Sequence, residues 1–451
     1  MLKKNDELII DIESYGYEGE GVGRAEGIPV FVPFAAKGDK ARVRIVKTAK
    51  SYAFGKIMEI LESSRERVQA PCPAFGKCGG CSIMHIEYAK QLELKQERVA
   101  DCMRKIGKLE CEVLPVIPSE KQLGYRNKVQ LPIGAKEKPF AGFYAARSHR
   151  IVKNEGCFLQ NEESSIVVPA FLAWMEEKNI SAYNEGTGKG LVRHLFVRVG
   201  ETAKEGKQLL VMPVINGDKL PEENDLAEKM KKLGVTSLCV NVNKKNSNVI
   251  LGDKTQVIYG SGVVSDTLCG NVFDISPESF YQVNRPQAEK LYNIAMDMAD
   301  IKKTDTVYDL YCGAGTITLC TARRAGKVYG IEIVPEAVEN AKRNAKKNGV
   351  DNVEFLCGDV AQTVMELKKI AKPDTVILDP PRKGCDNAML ELLSELAPEK
   401  IVYISCNPAT LARDMAYFCD NGYIHGAVQP VDLFPQTSHV ECVVLMSRIE
   451  K

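Results

Sequence analysis

From about residue 285 onward, short apolar runs alternate with longer amphipathic stretches, and few architectures accept that order. TVYDL, KVYGIE, VEFL, TVILD and KIVYIS read as buried strands, and the stretches near 285–301, 316–325, 335–348, 388–397 and 409–421 as helices. Parallel neighbours need a crossover between them, normally a helix. Repeated strand–helix units therefore imply an α/β fold with a mostly parallel sheet covered on both faces. The last two runs, YIHGAVQPVDL and VECVVLMS, are joined by FPQTSH without a helix, so an antiparallel hairpin is expected at the sheet edge.

At 451 residues the chain exceeds one ordinary core, and two or three domains are expected. Residues 6–62 alternate apolar and polar positions between glycines, the pattern of about five strands in a small OB-like closed barrel. Between Lys37 and Lys56 lie seven Lys or Arg against one Asp, with Tyr52 and Phe54 interleaved. Arg42, Arg44, Lys47 and Tyr52 then read either as a solvated strand face or as a grip on single-stranded nucleic acid through phosphate attraction and base stacking. Residues 123–270 mix strands with helices near 164–178 and 222–233, and a further helix is expected over about 86–107. The expected division is 1–62, a central α+β segment 63–270, and 271–451, with helix 86–107 able to pack on the last.

Net charge is +1, so any nucleic-acid surface must be local. No apolar run reaches membrane-spanning length, and MLKKNDELIIDIES lacks a secretory signal; a cytoplasmic monomer with no membrane and no DNA partner is expected. In that compartment the 15 cysteines are read as thiols, and Cys239, Cys269 and Cys442 as small core residues.

The chemistry gathers at strand ends. Asp309-Leu310-Tyr311-Cys312-Gly313-Ala314-Gly315-Thr316 is a glycine turn opening onto a helix N-terminus, short of a full dinucleotide fingerprint. Glu332, closing the next strand, is placed to accept from both ribose hydroxyls of an adenosine, with Asp359 near the adenine. Asp379-Pro380-Pro381-Arg382 stops another strand and frees its carbonyls. Arg382 stands where amino-methylating enzymes carry an aromatic residue. Cys406, in Ser405-Cys406-Asn407-Pro408, precedes a helix whose dipole, with Arg413, is expected to favour a thiolate. Such a nucleophile adds to carbon 6 of uracil and makes carbon 5 nucleophilic; Glu441, opening the final strand, is the candidate base for the carbon 5 proton. His439 is a candidate supporting group.

DLYCGAG, DPPR, SCNP followed by ATLARD, and HVEC occur in this order along the chain, as does Phe280-Tyr281-Gln282-Val283-Asn284. The chain thereby resembles the RNA uracil-5-methyltransferase family along its whole length, and residues 6–62 resemble a TRAM domain. The resemblance implies a seven-stranded, Rossmann-like methyltransferase domain and S-adenosylmethionine held by Gln282, Tyr311, Gly313, Gly315, Glu332, Asp359 and Asp379. It also implies Cys406 as nucleophile, Glu441 as base and Asp379 as a positioning group. Thr316 departs from the asparagine of some relatives.

Cys72, Cys78 and Cys81, with Cys157, match the family's cysteine run, which implies a 4Fe–4S cluster. On chemistry alone four thiolates hold iron–sulfur or zinc, and the five-residue first gap is wide for zinc. The implied substrate is a uridine of 23S ribosomal RNA, flipped out of its stack, with transfer RNA the alternative and a non-catalytic RNA-binding protein the distant one. Arg126, Lys128, Arg147, His149 and Arg150 are candidate RNA-backbone contacts.

Overall fold

The computed structural model describes residues 2–449; Met1, Glu450 and Lys451, at the outer ends of the first and last expected segments, lie outside the described residues. Strands β1 (Glu7–Tyr15), β2 (Gly21–Ala25), β3 (Ile28–Val32), β4 (Lys40–Thr48) and β5 (Ala53–Glu62) close into a barrel in the order β1-β2-β3-β5-β4. Alternation does the sorting: Ile10, Ile12, Val43 and Ile45 fill the interior, while Arg42 and Arg44 face out.

Helix α1 (Tyr88–Cys102) ends in a π-helical turn, Met103–Gly107. Its buried stripe starts beside the barrel, where Leu94 packs with Ala36, and ends in the C-terminal core, where Val99, Cys102 and Met103 share a cluster with Leu411 and Met415. Lys95 on this helix is fully buried, with its ammonium 2.5 Å from Asp432 and a further bond to the Phe434 carbonyl.

The middle of the chain forms a seven-stranded sheet ordered β12-β11-β10-β9-β6-β7-β8. Its members are β6 (Lys128–Ala135), β7 (Pro139–Tyr144), β8 (Ile151–Lys153), β9 (Val192–Thr202), β10 (Gly206–Ile215), β11 (Ser237–Val242) and β12 (Lys254–Tyr259). Helices α2 (Glu162–Glu177) and α3 (Glu223–Lys232) bury Phe171, Trp174 and Met230 against it. A two-stranded ribbon, β13 (Val264–Leu268) with β14 (Asn271–Ile275), leads on to α4 (Arg285–Ala299).

The C-terminal sheet runs β17-β16-β15-β18-β19-β22-β20. Its parallel strands are β15 (Thr306–Leu310), β16 (Lys327–Glu332), β17 (Val353–Cys357), β18 (Thr375–Leu378) and β19 (Lys400–Ser405). Their crossovers are α5 (Thr316–Ala322), α6 (Pro335–Lys347), α7 (Val360–Leu367) and α8 (Asn387–Leu396), and α9 (Pro408–Asp420) follows β19. The expected strand YIHGAVQPVDL is broken in two, β20 (Tyr423–His425) and β21 (Gln429–Val431), both antiparallel to β22 (Glu441–Arg448). The outer edge of β21 is covered by residues 112–117, whose amides from Leu114 and Ile117 bond the carbonyls of Val428 and Pro430. This is an α/β methyltransferase fold with a five-stranded barrel at its N-terminus. Among the described residues no helix is long and apolar enough to cross a membrane.

Candidate active site

Cys406 lies between the last residue of β19 and the first of α9, where Pro408 fits because a helix leaves its first amides unpaired. Asn407 caps that helix: its Oδ1 accepts from the Ala409 amide at 3.1 Å, and its Nδ2 donates to the Arg382 carbonyl at 3.0 Å. The cysteine loop and the DPPR corner are thus stitched together. Strand register does the rest. Ser405 lies opposite Cys442, which brings Glu441 beside the cysteine loop.

Cys406 is half-buried, and its thiol is pushed up to about 11 by burial, then by the negative charges of Glu441 and Asp379, against the opposing pull of Arg382. This corrects the expectation that Arg413 would favour the thiolate. Arg413 turns to Asp414 and to the carbonyls of Lys383 and Cys385, so Arg382 is the cation that Cys406 feels. Glu441 is buried and pushed up to about 8, by burial first and Asp379 second. Asp379 is largely enclosed at the end of β18 and is pushed up to about 7 by burial. His439 stands at the cleft rim, where desolvation and then the cations Arg382, Arg98 and Lys95 push its imidazole down to about 4.

The turn from β15 to α5 passes through three left-handed residues, Tyr311 (φ 69°), Gly313 (φ 54°) and Gly315 (φ 78°). At Gly315 a Cβ would fall 2.9 Å from the Phe355 ring, whereas above Gly313 nothing lies within 4 Å, leaving open space for a ligand. Glu332 faces that space and orders the turn, accepting from the amides of Gly313 (3.0 Å) and Val334 (2.9 Å). Asp359 is exposed and caps α7 through the Gln362 amide at 3.1 Å. The Gln282 carbonyl accepts from Asn127, and the side chains of Gln282 and Thr316 and the charge of Asp379 all act on buried Tyr292. Gln282, Thr316 and Asp379 therefore meet on one side, and Asp379, Cys406, Glu441 and Arg382 on the other.

Tyr292 was not singled out from sequence, and Asp309 was named in its motif without a role. Tyr292 sits in an ordinary amphipathic helix and carries no local mark. Asp309 is buried and pushed up to about 7, chiefly by burial, with one oxygen held by Thr318 at 2.5 Å and the other unpartnered. An aspartate in a strand otherwise apolar enough to be buried was the available clue.

Cys72, Cys78, Cys81 and Cys157 are free thiols lining one cavity of about 260 Å³ in the central part of the molecule. Burial, then the neighbouring thiols, pushes Cys81 up to about 12. Gln160 borders the cavity with its amide nitrogen buried and unpartnered, and the Gly80 amide points to the Cys78 sulfur at 3.3 Å. Among the described residues no group of three or more His, Cys, Asp or Glu is arranged to hold a single metal ion. Arg126 and Lys128, expected as RNA-backbone contacts, line this same cavity, and Lys128 is pushed down to about 8 by burial and the charges of Arg198 and Arg126.

The other expected RNA contacts are scattered. Arg42 and Arg44 pair with Glu59 and Glu7 on the barrel, Lys47 is exposed nearby, and Tyr52 packs edge-on against Phe31 and Phe54. Arg147 pairs with Glu18 and His149 with Glu185, and Arg150 is exposed.

Residues 207–449 match the tRNA (Uracil-5-)-methyltransferase family, and residues 2–58 the TRAM domain. The chain is 41% identical to an uncharacterized RNA methyltransferase of Clostridium acetobutylicum, covering 100% of this chain and 99% of that one. It is 42% identical to a similarly described protein of Halalkalibacterium halodurans, covering 99% and 98%. Among solved structures it resembles the Pyrococcus abyssi tRNA (uracil-54, C5)-methyltransferase in complex with S-adenosyl-L-homocysteine. The identity there is 28% and the TM-score 0.79, over 97% of this chain and 99% of that one. Full-length relatives at this level of identity, and a family match over more than half the chain, make it an RNA methyltransferase of the tRNA (uracil-5-)-methyltransferase family.

Proposed function

We propose that this enzyme methylates carbon 5 of a uridine in ribosomal RNA of the large subunit, through a covalent bond between Cys406 and carbon 6. One observation carries the chemistry of this reading: a thiol, two carboxylates and one cation share a cleft, and burial holds all three acids above their ordinary values. S-adenosylmethionine, when bound, supplies an electrophilic methyl group on a cationic sulfur. Glu332 has lone pairs to spare beyond its two amide bonds and takes the ribose hydroxyls, while the turn at Tyr311, Gly313 and Gly315, with Gln282 and Asp359, surrounds the rest. The Cys406 thiol gives up its proton to solvent as its sulfur adds to carbon 6, and carbon 5 takes the methyl. Glu441 removes the carbon 5 proton, and the carbon–sulfur bond breaks as the ring double bond returns. A glutamate raised to about 8 is basic enough to take the proton, and a sulfonium bound beside it favours the ionised form that the step needs.

The four-cysteine cavity fits a 4Fe–4S cluster. Four thiols and two cations around one space, with an unpartnered amide donor, suit an anionic thiolate-ligated group, and the five-residue gap between Cys72 and Cys78 is wide for a zinc pair. Methyl transfer moves no single electron, so this group serves structure or RNA contact.

Transfer RNA is the second reading, and it rests on the Pyrococcus abyssi enzyme. A tRNA methyltransferase superposes on 97% of this chain, more than the chain without its barrel could account for, so the barrel does not separate the two RNA classes. Mapping 5-methyluridine in rRNA and tRNA from a strain lacking the gene decides between them. Loss from large-subunit rRNA is expected; intact rRNA with loss from tRNA overturns the ribosomal assignment.

A further inference from the structure

We infer that Tyr17, on the barrel turn between β1 and β2, is a positioning residue for Cys406, so that the barrel helps to build the catalytic cleft. The inference rests on the reading of Cys406 as nucleophile. Its ground is a contact spanning nearly the whole chain: the Tyr17 hydroxyl donates to Asn407 Oδ1 at 2.7 Å. Asn407 follows the nucleophile directly, and the same Oδ1 already accepts the Ala409 amide while Nδ2 holds the Arg382 carbonyl. The tyrosine supplies the remaining bond that fixes this amide, and the amide in turn fixes the backbone on one side of Cys406. On the other side the Asn407 amide bonds Ser405 Oγ at 3.1 Å.

The ring does a second job. The Arg98 guanidinium lies 3.7 Å above its centroid and donates to the carbonyl of Ser438, three residues before Glu441. The Ser438 amide in turn bonds Ser82 Oγ at 3.0 Å. Close packing presses the turn onto this loop: a Cβ at Gly19 (φ 86°) would fall 2.6 Å from Ile83 and 3.3 Å from Ser438. One barrel side chain thus touches the loop of the proposed nucleophile directly and, through Arg98, the loop leading to the proposed base. Tyr17 itself stays 47% exposed, so its position can respond to RNA passing from the barrel to the cleft.

Tyr17→Phe deletes the hydroxyl and keeps the ring over Arg98. Full-length wild type and variant are compared on the same RNA for kcat, KM and the rate of covalent adduct formation with its 5-fluorouridine form, in which the base finds no proton to remove. Expected are a KM within about twofold and a fall of about tenfold or more in kcat and in adduct rate, the size of a misplaced reacting group. Tyr17→Ala, which also frees Arg98, falls further. An unchanged adduct rate in Tyr17→Phe overturns the inference, and so does a raised KM with unchanged kcat, which marks an RNA contact instead. Adduct retained in Cys406→Ala is a different failure: it removes the nucleophile reading, and the inference with it.

Discussion

Two sets of thiols in this chain are buried in opposite electrostatic company. Cys406 shares its cleft with two carboxylates, Glu441 and Asp379, and feels one cation, Arg382. The four thiols of Cys72, Cys78, Cys81 and Cys157 share theirs with one another and with two cations, Arg126 and Lys128. Burial raises the thiol in both places, to about 11 at Cys406 and about 12 at Cys81. The surroundings decide what each can become. Between carboxylates, with Arg382 alone to offset them, a thiolate is disfavoured until an electrophile and a further positive charge arrive together. Four thiols beside two cations are arranged for a negative charge that stays. On the proposed reading, one site serves a passing charge and the other a permanent one.

Substitution at each site separates them. Cys406→Ala is expected to abolish the 5-fluorouridine adduct and to cost at least about 10⁴-fold in turnover, as loss of a nucleophile does, with iron content unchanged. Iron lost from that variant would show that the two sites are not independent. Glu441→Gln leaves the nucleophile in place, so methyl transfer proceeds and release stalls. Turnover is expected to fall by about 10² to 10⁴, while a covalent complex builds up on ordinary uridine RNA. A Glu441→Gln enzyme that turns over without accumulating complex assigns the base elsewhere. Cys81→Ser has the smallest effect on chemistry: iron per chain and Tm fall together, because a bound group contributes directly to folding, and adduct formation on a short RNA stays within about threefold. A wild-type protein purified without oxygen and free of iron would remove the contrast altogether.

The parallel sheet was legible because its strands are continuous apolar runs bounded by turns, and Glu441 because a carboxylate stands out at the start of such a run. What escaped depends on distant partners. YIHGAVQPVDL reads as one strand, since nothing local shows that residues 112–117 will cover its second half and that the chain must step aside at Gly426. Helix α7 is eight residues long, too short to declare a period. That Arg126 and Lys128 line the four-cysteine cavity is invisible in sequence, which does not show which face of a segment meets a cavity. Arg413 is near Cys406 along the chain, yet its helix turns it toward Asp414. The bond from Tyr17 to Asn407 joins residues 390 positions apart, and no local pattern marks it.

The carboxylates offer the finest test of a cleft built for a passing charge. Asp379 and Glu441 are raised to about 7 and about 8, so between the ordinary carboxylate range and pH 8 the folded protein binds more protons there than the unfolded chain. Their contribution to stability therefore falls as pH rises through that window, and levels off above it. A sulfonium bound beside them favours their ionised forms and is favoured by them in return. S-adenosylmethionine should then bind more tightly as pH goes from 6 to 8, by about tenfold for each unit that its charge lowers one of these acids. S-adenosylhomocysteine has the same adenosine and the same amino acid but a neutral sulfur, and its affinity should change by less than about twofold over that range. Calorimetric titration of both ligands at each pH reads the difference, and Asp379→Asn should flatten much of the slope for the sulfonium alone. Equal slopes for the two ligands would mean that the carboxylates do not face the methyl donor's charge, and Cys406 would then need another source of the positive field that makes it a nucleophile.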